Sequence, residues 1–303
     1  MPRRRRDASR EPIEIGGVTL THSDKVLWPD DGYTKRDLAE YYRAVAPYLL
    51  PFLDRRALTI RPYPRGIQAP GFYLQDAPKG RPDWLPTWGD FAESTSRTVE
   101  HIVGGDPRTL LWLVQYNTIE VHSWLSRIDR PDEPDFAVID LDPSAATPFG
   151  DIVAAARLFK AELDRAGLAA FPKLTGSSGI HLFIPLDRGP NFDAVRARVQ
   201  ALCRQVEAAT PELVTTDPTI ANRGTRVFAD YAQNSRGRTT VAPYSVRPKT
   251  GAPVAAPLRW EDLDDPELRP DRWTIRTMPA RIDEVGDLVA PMLACRQALP
   301  GTW

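Results

Sequence analysis

The length, composition and charge of the chain limit what kind of protein it can be. Its 303 residues suffice for one large domain or two closely packed modules, and 42% hydrophobic and 26% charged residues without a membrane-length apolar run predict a cytoplasmic protein with no membrane partner. The net charge of −1 gives no general attraction to nucleic acid, so any contact with DNA must come from local basic patches.

The chain opens with a basic segment that contains a run of four arginines. Residues 1–17 are expected to form a flexible basic arm, because terminal arginine runs are usually solvated. A catalytic domain is expected over residues 18–290, with an N-terminal module over about 18–130 and a catalytic module over about 131–290. Residues 291–303 are expected to form a C-terminal tail.

Helix start signals recur along the chain. Thr34 and Asp37 have the spacing of a capping box, and Asp106 and Thr147 each precede a proline at a predicted helix start. Between residues 60 and 90, prolines and aromatic residues predict rigid loops. Aromatic side chains on such loops can stack on bases or fold back onto the core, and the sequence leaves both possibilities open.

The segment Phe136–Asp142 has the pattern of a buried strand that ends in two carboxylates. Alternation along a strand places Asp140 and Asp142 on one side, while Leu141 points into the core. Two like charges this close raise each other's pKa or bind a cation, which favours Mg²⁺ or Mn²⁺ with oxygen ligands. A solvated turn opened by Asp-Pro is the alternative that this motif leaves open.

Other predicted strands bring further polar side chains. Strands over residues 171–175 and 180–184 are joined by a Gly-Ser-Ser-Gly turn whose N–H groups and hydroxyls can line an anion site, directly before His181. A strand ending at His122 places Glu120 on the same face as that histidine.

Two further predicted strands, in the C-terminal half of the chain, each carry a charged residue. One delivers Asp230, and the other, over residues 239–247, ends in Arg247. Three carboxylates with basic groups around them are the complement that two-metal phosphoryl transfer requires.

In combination these motifs resemble one known family. The Asp140 to Asp142 strand, the Ser177 to His181 turn and Asp230 are similar to the three motifs of the archaeo-eukaryotic primase superfamily. More narrowly, the chain resembles the polymerase domain of bacterial ATP-dependent DNA ligase D over roughly residues 18–290, on four stretches: Leu20 to Pro29, Glu120 to His122, Gln233 to Ser235 and Ala242 to Arg247.

This resemblance implies an α/β primase-polymerase fold, with mixed or antiparallel central sheets flanked by helices and an active-site cleft between two modules. It implies a template-directed nucleotidyltransferase with two Mn²⁺ or Mg²⁺ ions that accepts ribonucleotides readily. Such an enzyme fills or extends broken DNA ends with a recessed 5′-phosphate in non-homologous end joining. The implied partners are NTP or dNTP, DNA ends, an ATP-dependent DNA ligase and Ku, and the implied location is at the nucleoid.

Residue roles follow from the same resemblance. The metals are assigned to Asp140, Asp142 and Asp230, with His122 beside them as a catalytic residue. The incoming nucleotide is assigned to six residues: Thr175, Ser177, Ser178, His181, Gln233 and Arg247. DNA is assigned to five more: Lys25 and Lys35 for the 5′-phosphate, Phe72 and Tyr73 for stacking on the template, and Arg223 for placing the template and primer end.

The chain departs from the family's pattern in places. Ser178 stands where the family often has a lysine, which removes one phosphate-binding charge, and Arg61 is expected to substitute in part for a lysine that does not follow Thr59. Because no ligase or nuclease region follows, we expect either a stand-alone polymerase or an excised domain.

Three other functions stay open. A haloacid dehalogenase phosphatase also uses Asp-x-Asp, although the continuation Pro143-Ser144 departs from that class. A non-catalytic DNA-end binding module would gain nothing from three carboxylates beside DNA. A primase that starts chains de novo is less favoured than gap filling because of the two lysines in their family context.

Overall fold

The structure, a computed structural model, describes residues 11–92, 96–144 and 146–301, and the N-terminal arginine run lies outside these ranges. Its strands are β1 (Ile13–Ile15), β2 (Val18–Leu20), β3 (Val26–Trp28), β4 (Tyr33–Thr34), β5 (Ala57–Pro62), β6 (Thr87–Ala92), β7 (Arg97–Val103), β8 (Thr118–Trp124), β9 (Phe136–Asp142), β10 (Phe171–Leu174), β11 (Ile180–Pro185), β12 (Val214–Thr215), β13 (Val227–Asp230) and β14 (Thr239–Val241). Its α-helices are α1 (Lys35–Leu53), α2 (Pro107–Gln115), α3 (Phe149–Arg165), α4 (Phe192–Ala209), α5 (Ile220–Arg223), α6 (Met278–Val285) and α7 (Ala290–Ala294), and a 3₁₀ helix spans Trp260–Asp264. None of the helices in these ranges is both long enough and apolar enough to cross a membrane.

Two five-stranded sheets form the centre of the fold. In the first sheet the strand order is β10-β11-β9-β13-β12, and only the β12–β13 pair is parallel. The second sheet, with the order β14-β8-β5-β7-β6, is antiparallel throughout. The expected α/β fold with mixed and antiparallel sheets is therefore confirmed.

Strand β9 divides its side chains between two hydrophobic cores. Ala137, Ile139 and Leu141 pack with α3 and α4, whereas Phe136 and Val138 belong to the core shared with the second sheet. The same alternation carries the two aspartates of β9 to the side of the second sheet. The prediction that they share one face, with Leu141 pointing into the core, is confirmed.

The predicted capping box of α1 is also present. Thr34 Oγ1 accepts a hydrogen bond from the Asp37 N–H at 3.2 Å, and an Asp37 oxygen accepts one from the Thr34 N–H at 2.8 Å. At α3 the expected cap is wrong. Thr147 Oγ1 accepts from the Ser144 N–H and donates to the Thr225 carbonyl, so the hydroxyl is directed away from the helix, which begins at Phe149 without a side-chain cap.

Long-range contacts involve residues on both sides of the predicted catalytic domain. β1 pairs with β2 between Ile15 and Val18, so the folded region begins before residue 18. At the other end Leu299 is buried in the core of the first sheet, and α7 packs near α1. Because β14 pairs with β8, a strand from the C-terminal part of the chain forms one edge of the second sheet.

Two stretches depart from the predicted secondary structure. The expected strand over residues 239–247 stops at Val241, because Pro243 has no N–H to donate and Tyr244 has a φ of 63°. The loop-rich region ends earlier than expected, at β6, where Trp88 stacks on His101 with ring centroids 6.0 Å apart. That tryptophan therefore folds back onto the protein.

A buried ion pair connects the two sheets. Arg56, which directly precedes β5, is 0% exposed, and it donates to both oxygens of Asp135, next to β9, at 2.6 and 2.8 Å. Arg127 donates to the same carboxylate at 3.0 Å. The guanidinium of Arg56 lies 5.1 Å from the ring centroids of both Phe52 and Phe136, so it is held by charge and by aromatic packing.

We expect Asp135→Asn to lower the free energy of unfolding by about 3–5 kcal/mol, because it leaves a buried guanidinium without its counter-charge. The matched control is Asp129→Asn, since Asp129 pairs with Arg188 at 2.7 Å but its side chain is 37% exposed, and its loss should cost less than about 1 kcal/mol. Denaturant unfolding of both variants measures the difference, and equal effects would contradict the assigned role of the buried pair.

Candidate active site

Four polar residues lie in one transverse row on the first sheet. Lys173 on β10 is the register partner of His181 on β11, which is the partner of Asp140 on β9. Asp140 is paired in turn with Asp230 on β13. Residues in such a row point to the same face of the sheet, and Asp142 follows two positions along β9 on that face.

Burial disfavours the charged form of the two carboxyl groups of β9. Asp140 is 7% exposed, and its Oδ1 lies 3.2 Å from His181 Nε2 without hydrogen-bond alignment, so this oxygen has no hydrogen-bond partner among the described residues. Burial raises the pKa of Asp140 to about 6, against the opposing charges of Lys173 and Arg247. Burial, followed by the charge of Asp140, raises the pKa of Asp142 to about 7. A bound cation would stabilise both groups as carboxylates.

Asp230 differs because its oxygens already have partners. Its Oδ1 accepts from the Ala232 N–H at 2.8 Å, and its Oδ2 accepts from Gln233 Nε2 at 3.3 Å. Across residues 11–92, 96–144 and 146–301, no three His, Cys, Asp or Glu side chains are gathered closely enough to hold a metal ion as they stand. The three aspartates therefore share one face of the sheet without forming a closed ligand set as they stand.

Glu120 organises the facing sheet. It is 0% exposed, and its Oε2 accepts from Arg61 at 3.0 Å and from the Tyr63 hydroxyl at 3.2 Å. Its Oε1 lies 3.0 Å from Arg247 Nε and 3.9 Å from His122 Nε2. Burial acts to raise the pKa of Glu120, but His122 and the two arginines outweigh burial and lower it to about 2. The carboxylate thus hydrogen-bonds Arg61 and Tyr63, and its charge faces Arg247 and His122.

Hydrogen bonds to Thr175 stabilise the hydroxyl-rich turn between β10 and β11. Thr175 Oγ1 accepts from the N–H groups of Ser177, Ser178 and Gly179 at 3.2, 3.1 and 3.0 Å. These three N–H groups, which the sequence suggested as anion donors, converge on one hydroxyl of the protein. The serine side chains are left to face the cavity.

One cavity of about 750 Å³ collects most of the predicted residues. Its lining includes ten of them: Tyr73, His122, Asp140, Asp142, Thr175, Ser177, Ser178, His181, Gln233 and Arg247. Five predicted residues are not part of this lining: Lys25, Lys35, Phe72, Arg223 and Asp230.

Lys25 and Lys35 lie close to each other, but their ammonium groups differ in how free they are to bind a phosphate. Lys35 is 2% exposed, and its Nζ donates to the Thr21 carbonyl and to both oxygens of Gln115 at 2.8–3.1 Å. Burial and the charge of Lys25 lower the pKa of Lys35 to about 8. Lys25 donates to Asn117 Oδ1 at 3.0 Å and is the more open of the two. In this arrangement Lys35 has no proton left for a phosphate.

The other predicted DNA contacts lie on exposed surface. Phe72 and Tyr73 are 46% and 59% exposed, and the Arg61 guanidinium lies 4.8 Å from the Tyr73 ring. Arg223, at the end of α5, lies 3.7 Å from the Phe228 ring and donates to the Pro218 carbonyl. Exposed aromatic rings and a half-open guanidinium are suited to contact nucleic acid.

Sequence reasoning gave no role to two buried charges at this site. Lys173 is 2% exposed, and burial holds its pKa well below the ordinary value while its charge acts on Asp140. Glu120 was placed beside His122 but was not seen as the centre of a cluster. A charged residue flanked by apolar residues within a predicted buried strand was the available signal in both cases.

Paired buried carboxyl groups on one sheet, and two arginines beside Glu120 of the facing sheet, define a class of α/β protein whose cleft can hold a cation beside an anion. Residues 34–289 match the family model described as LigD, primase-polymerase domain. The chain is 36% identical over 270 residues to the bifunctional non-homologous end joining protein LigD of Bacillus subtilis, covering 89% of this chain and 43% of that protein. It is 35% identical over 281 residues to the multifunctional LigD of Mycobacterium bovis, covering 90% and 36%.

A solved structure agrees with these matches. The polymerase domain from Mycobacterium tuberculosis Ligase D in complex with DNA superimposes with a TM-score of 0.87 at 34% identity, covering 91% of this chain and 98% of that one. The chain belongs to the LigD primase-polymerase domain family. It spans less than half the length of the two curated relatives described above.

Gly179, in the turn before β11, packs closely against the backbone of β9. A Cβ on Gly179 would overlap the Leu141 carbonyl oxygen, so Gly179→Ala should displace the turn and lower the free energy of unfolding by about 1–3 kcal/mol. Gly150→Ala is the control, because a Cβ there meets nothing within 4 Å and alanine favours the first turn of α3. Thermal unfolding compares the two, and a harmless Gly179→Ala would show that this turn is not held against β9.

Proposed function

We propose that the chain is a template-directed nucleotidyltransferase that adds ribo- or deoxyribonucleotides to broken DNA ends in non-homologous end joining. The observation that carries this proposal is one cavity of about 750 Å³ between the aspartates of β9 and the arginine cluster held by Glu120. The names of the relatives, and the DNA in the complex of the structural neighbour, support it. An ATP-dependent DNA ligase and Ku are proposed as partners, with action at the nucleoid, on the family resemblance.

Two Mn²⁺ or Mg²⁺ ions are proposed as cofactors. Asp140 and Asp142 fit such ions, because Asp140 Oδ1 is buried without a hydrogen-bond partner in the described ranges and burial raises the pKa of both groups. Asp230, the register partner of Asp140 on β13, would be the third ligand. Bound ions of this kind activate an attacking hydroxyl and neutralise charge on the leaving phosphates.

The protein's own side chains would bind and orient the nucleotide. Arg247 forms an ion pair with Glu120 through Nε at 3.0 Å, and its terminal amino groups have no side-chain partner within the described ranges, so they can bind a triphosphate in the cavity. Ser177, Ser178 and His181 line the same cavity and would add hydrogen bonds. Burial lowers the pKa of His122, which keeps its ring neutral beside the aspartates.

Primer extension tests the proposal directly. Asp142→Asn should lower the extension rate by roughly 100-fold or more, because several kcal/mol of transition-state stabilisation are lost, while affinity for DNA stays within about twofold. Asp264→Asn is the matched control, since the Asp264 side chain is 68% exposed and pairs with Arg157. Near-normal extension by Asp142→Asn with either metal would contradict the assigned role of this carboxylate.

Recognition of a 5′-phosphate by the two lysines is a separate part of the proposal. Lys25 is the expected direct contact, because Lys35 already donates to three acceptors and would act through its charge. A terminal phosphate carries more negative charge than an internal phosphodiester, so a lysine pair can favour it beyond general attraction to the DNA backbone.

A gapped duplex with a 5′-phosphate should bind about tenfold more tightly than one with a 5′-hydroxyl, and Lys25→Ala should remove most of this difference. Titrations of both duplexes at one salt concentration measure it. Lys160→Ala controls for lost charge, since Lys160 lies on the outer helix α3 and pairs with Asp164. Equal affinity of the wild-type protein for the two ends would favour a primase that starts chains de novo.

A further inference from the structure

A second cavity, of about 870 Å³, adjoins the catalytic one. The two share three lining residues, Gln75, Gly237 and Arg238, so they form one continuous cleft. The second cavity extends over β6 and β7, and none of the residues assigned above to metal, nucleotide or DNA lines it.

Strand β8 shows where this cavity lies relative to the reaction. Glu120, His122 and Trp124 occupy alternate positions, so they face one side with successive residues about 7 Å apart. Glu120 holds Arg247 at one end, His122 lines the catalytic cavity, and Trp124 lines the second cavity. The second cavity and Arg247 are therefore on opposite sides of the catalytic centre.

The positions of Arg247 and the second cavity on opposite sides of the catalytic centre match the geometry of nucleotide transfer. In phosphoryl transfer the attacking oxygen and the leaving group are roughly in line on opposite sides of the phosphorus. If Arg247 holds the leaving phosphates, the attacking 3′-hydroxyl must approach from the opposite side. That side is where the second cavity opens.

The walls of the second cavity suit a unit of single-stranded nucleic acid. Phe91 is 60% exposed and offers an aromatic face. The carboxylates of Asp90 and Asp132 are both paired with Arg236 at 2.6–2.9 Å. Arg238 has no ion pair or side-chain hydrogen bond within the part of the chain that the structure describes, so it remains available for a phosphate. Stacking faces beside a free cation are how such strands are bound without sequence preference.

The inner wall of the second cavity is built from packed aromatic rings. His101 lines the cavity and is 3% exposed, and its ring packs against Trp88 and Trp124 with centroids 6.0 and 5.3 Å apart. This packing gives the cavity a rigid floor beneath the exposed Phe91.

We propose that the second cavity binds the 3′-terminal nucleotide of the strand being extended, with Phe91 stacking on its base and Arg238 contacting its phosphate. This assignment rests on the proposed function and adds the subsite for the attacking strand. It is separate from the subsite for the incoming nucleotide.

Photo-crosslinking tests the location. The full chain with p-benzoylphenylalanine in place of Phe91 is irradiated with a gapped duplex whose primer, template and downstream strands carry different labels. The primer strand should be crosslinked near its 3′ end, and the same photoreactive residue in place of Arg269, whose side chain is 60% exposed outside both cavities, should give no primer crosslink. Crosslinking to the template or downstream strand alone, or to none, would overturn the assignment.

Kinetics give a second readout that a general effect on folding would not reproduce. Phe91→Ala should raise the Kd for primer-template about fivefold or more and leave the KM for the nucleotide unchanged, while Phe91→Tyr should retain wild-type binding. Since Phe91 is exposed, its truncation leaves no hole in the core. A raised nucleotide KM with unchanged primer Kd would refute the subsite. Absence of extension by the wild-type protein would instead refute the proposed function.

Discussion

The mutual placement of the two sheets depends on the buried pair of Arg56 and Asp135. One residue precedes β5 and the other precedes β9, so a single bidentate contact fixes the starts of the central strands of both sheets. Phe52 and Phe136 enclose the guanidinium, which excludes water and strengthens the pair. Once the strand starts are fixed, the period of two along each strand determines which side chains enter the cleft.

The cleft between the two sheets contains buried ionisable groups whose charged forms are disfavoured by burial. Burial opposes ionisation of Asp140, while the charges of Lys173 and Arg247 act in the opposite direction, so the acidic and basic residues of the site depend on one another. Unpartnered buried atoms in the described ranges include Asp140 Oδ1, His122 Nε2 and His181 Nδ1, all at the same cavity. Folded proteins rarely leave such atoms unsatisfied, and their concentration here indicates groups that a ligand would satisfy.

What the sequence predicted well was local, and what it missed depended on distant contacts. The shared face of Asp140 and Asp142 and the capping box of α1 follow from spacing within a few residues. From its sequence position Lys35 resembles a solvated lysine at a helix start, but it is buried, and Gln115, far away in the sequence, accepts two hydrogen bonds from its ammonium group. The role of Glu120 likewise depends on Arg247, which lies far away in the sequence and beyond the end of β14.

Residues along strand β8 contact, in turn, Lys25, Arg247 and the second cavity. Asn117, just before the strand, contacts Lys25; Glu120 holds Arg247; and Trp124 faces the second cavity at the far end. Under the proposed function, the downstream 5′-phosphate, the incoming triphosphate and the attacking strand would follow in that sequence. Because β8 is an interior strand of its sheet, the spacing of Glu120, His122 and Trp124 along it is fixed by the strand backbone.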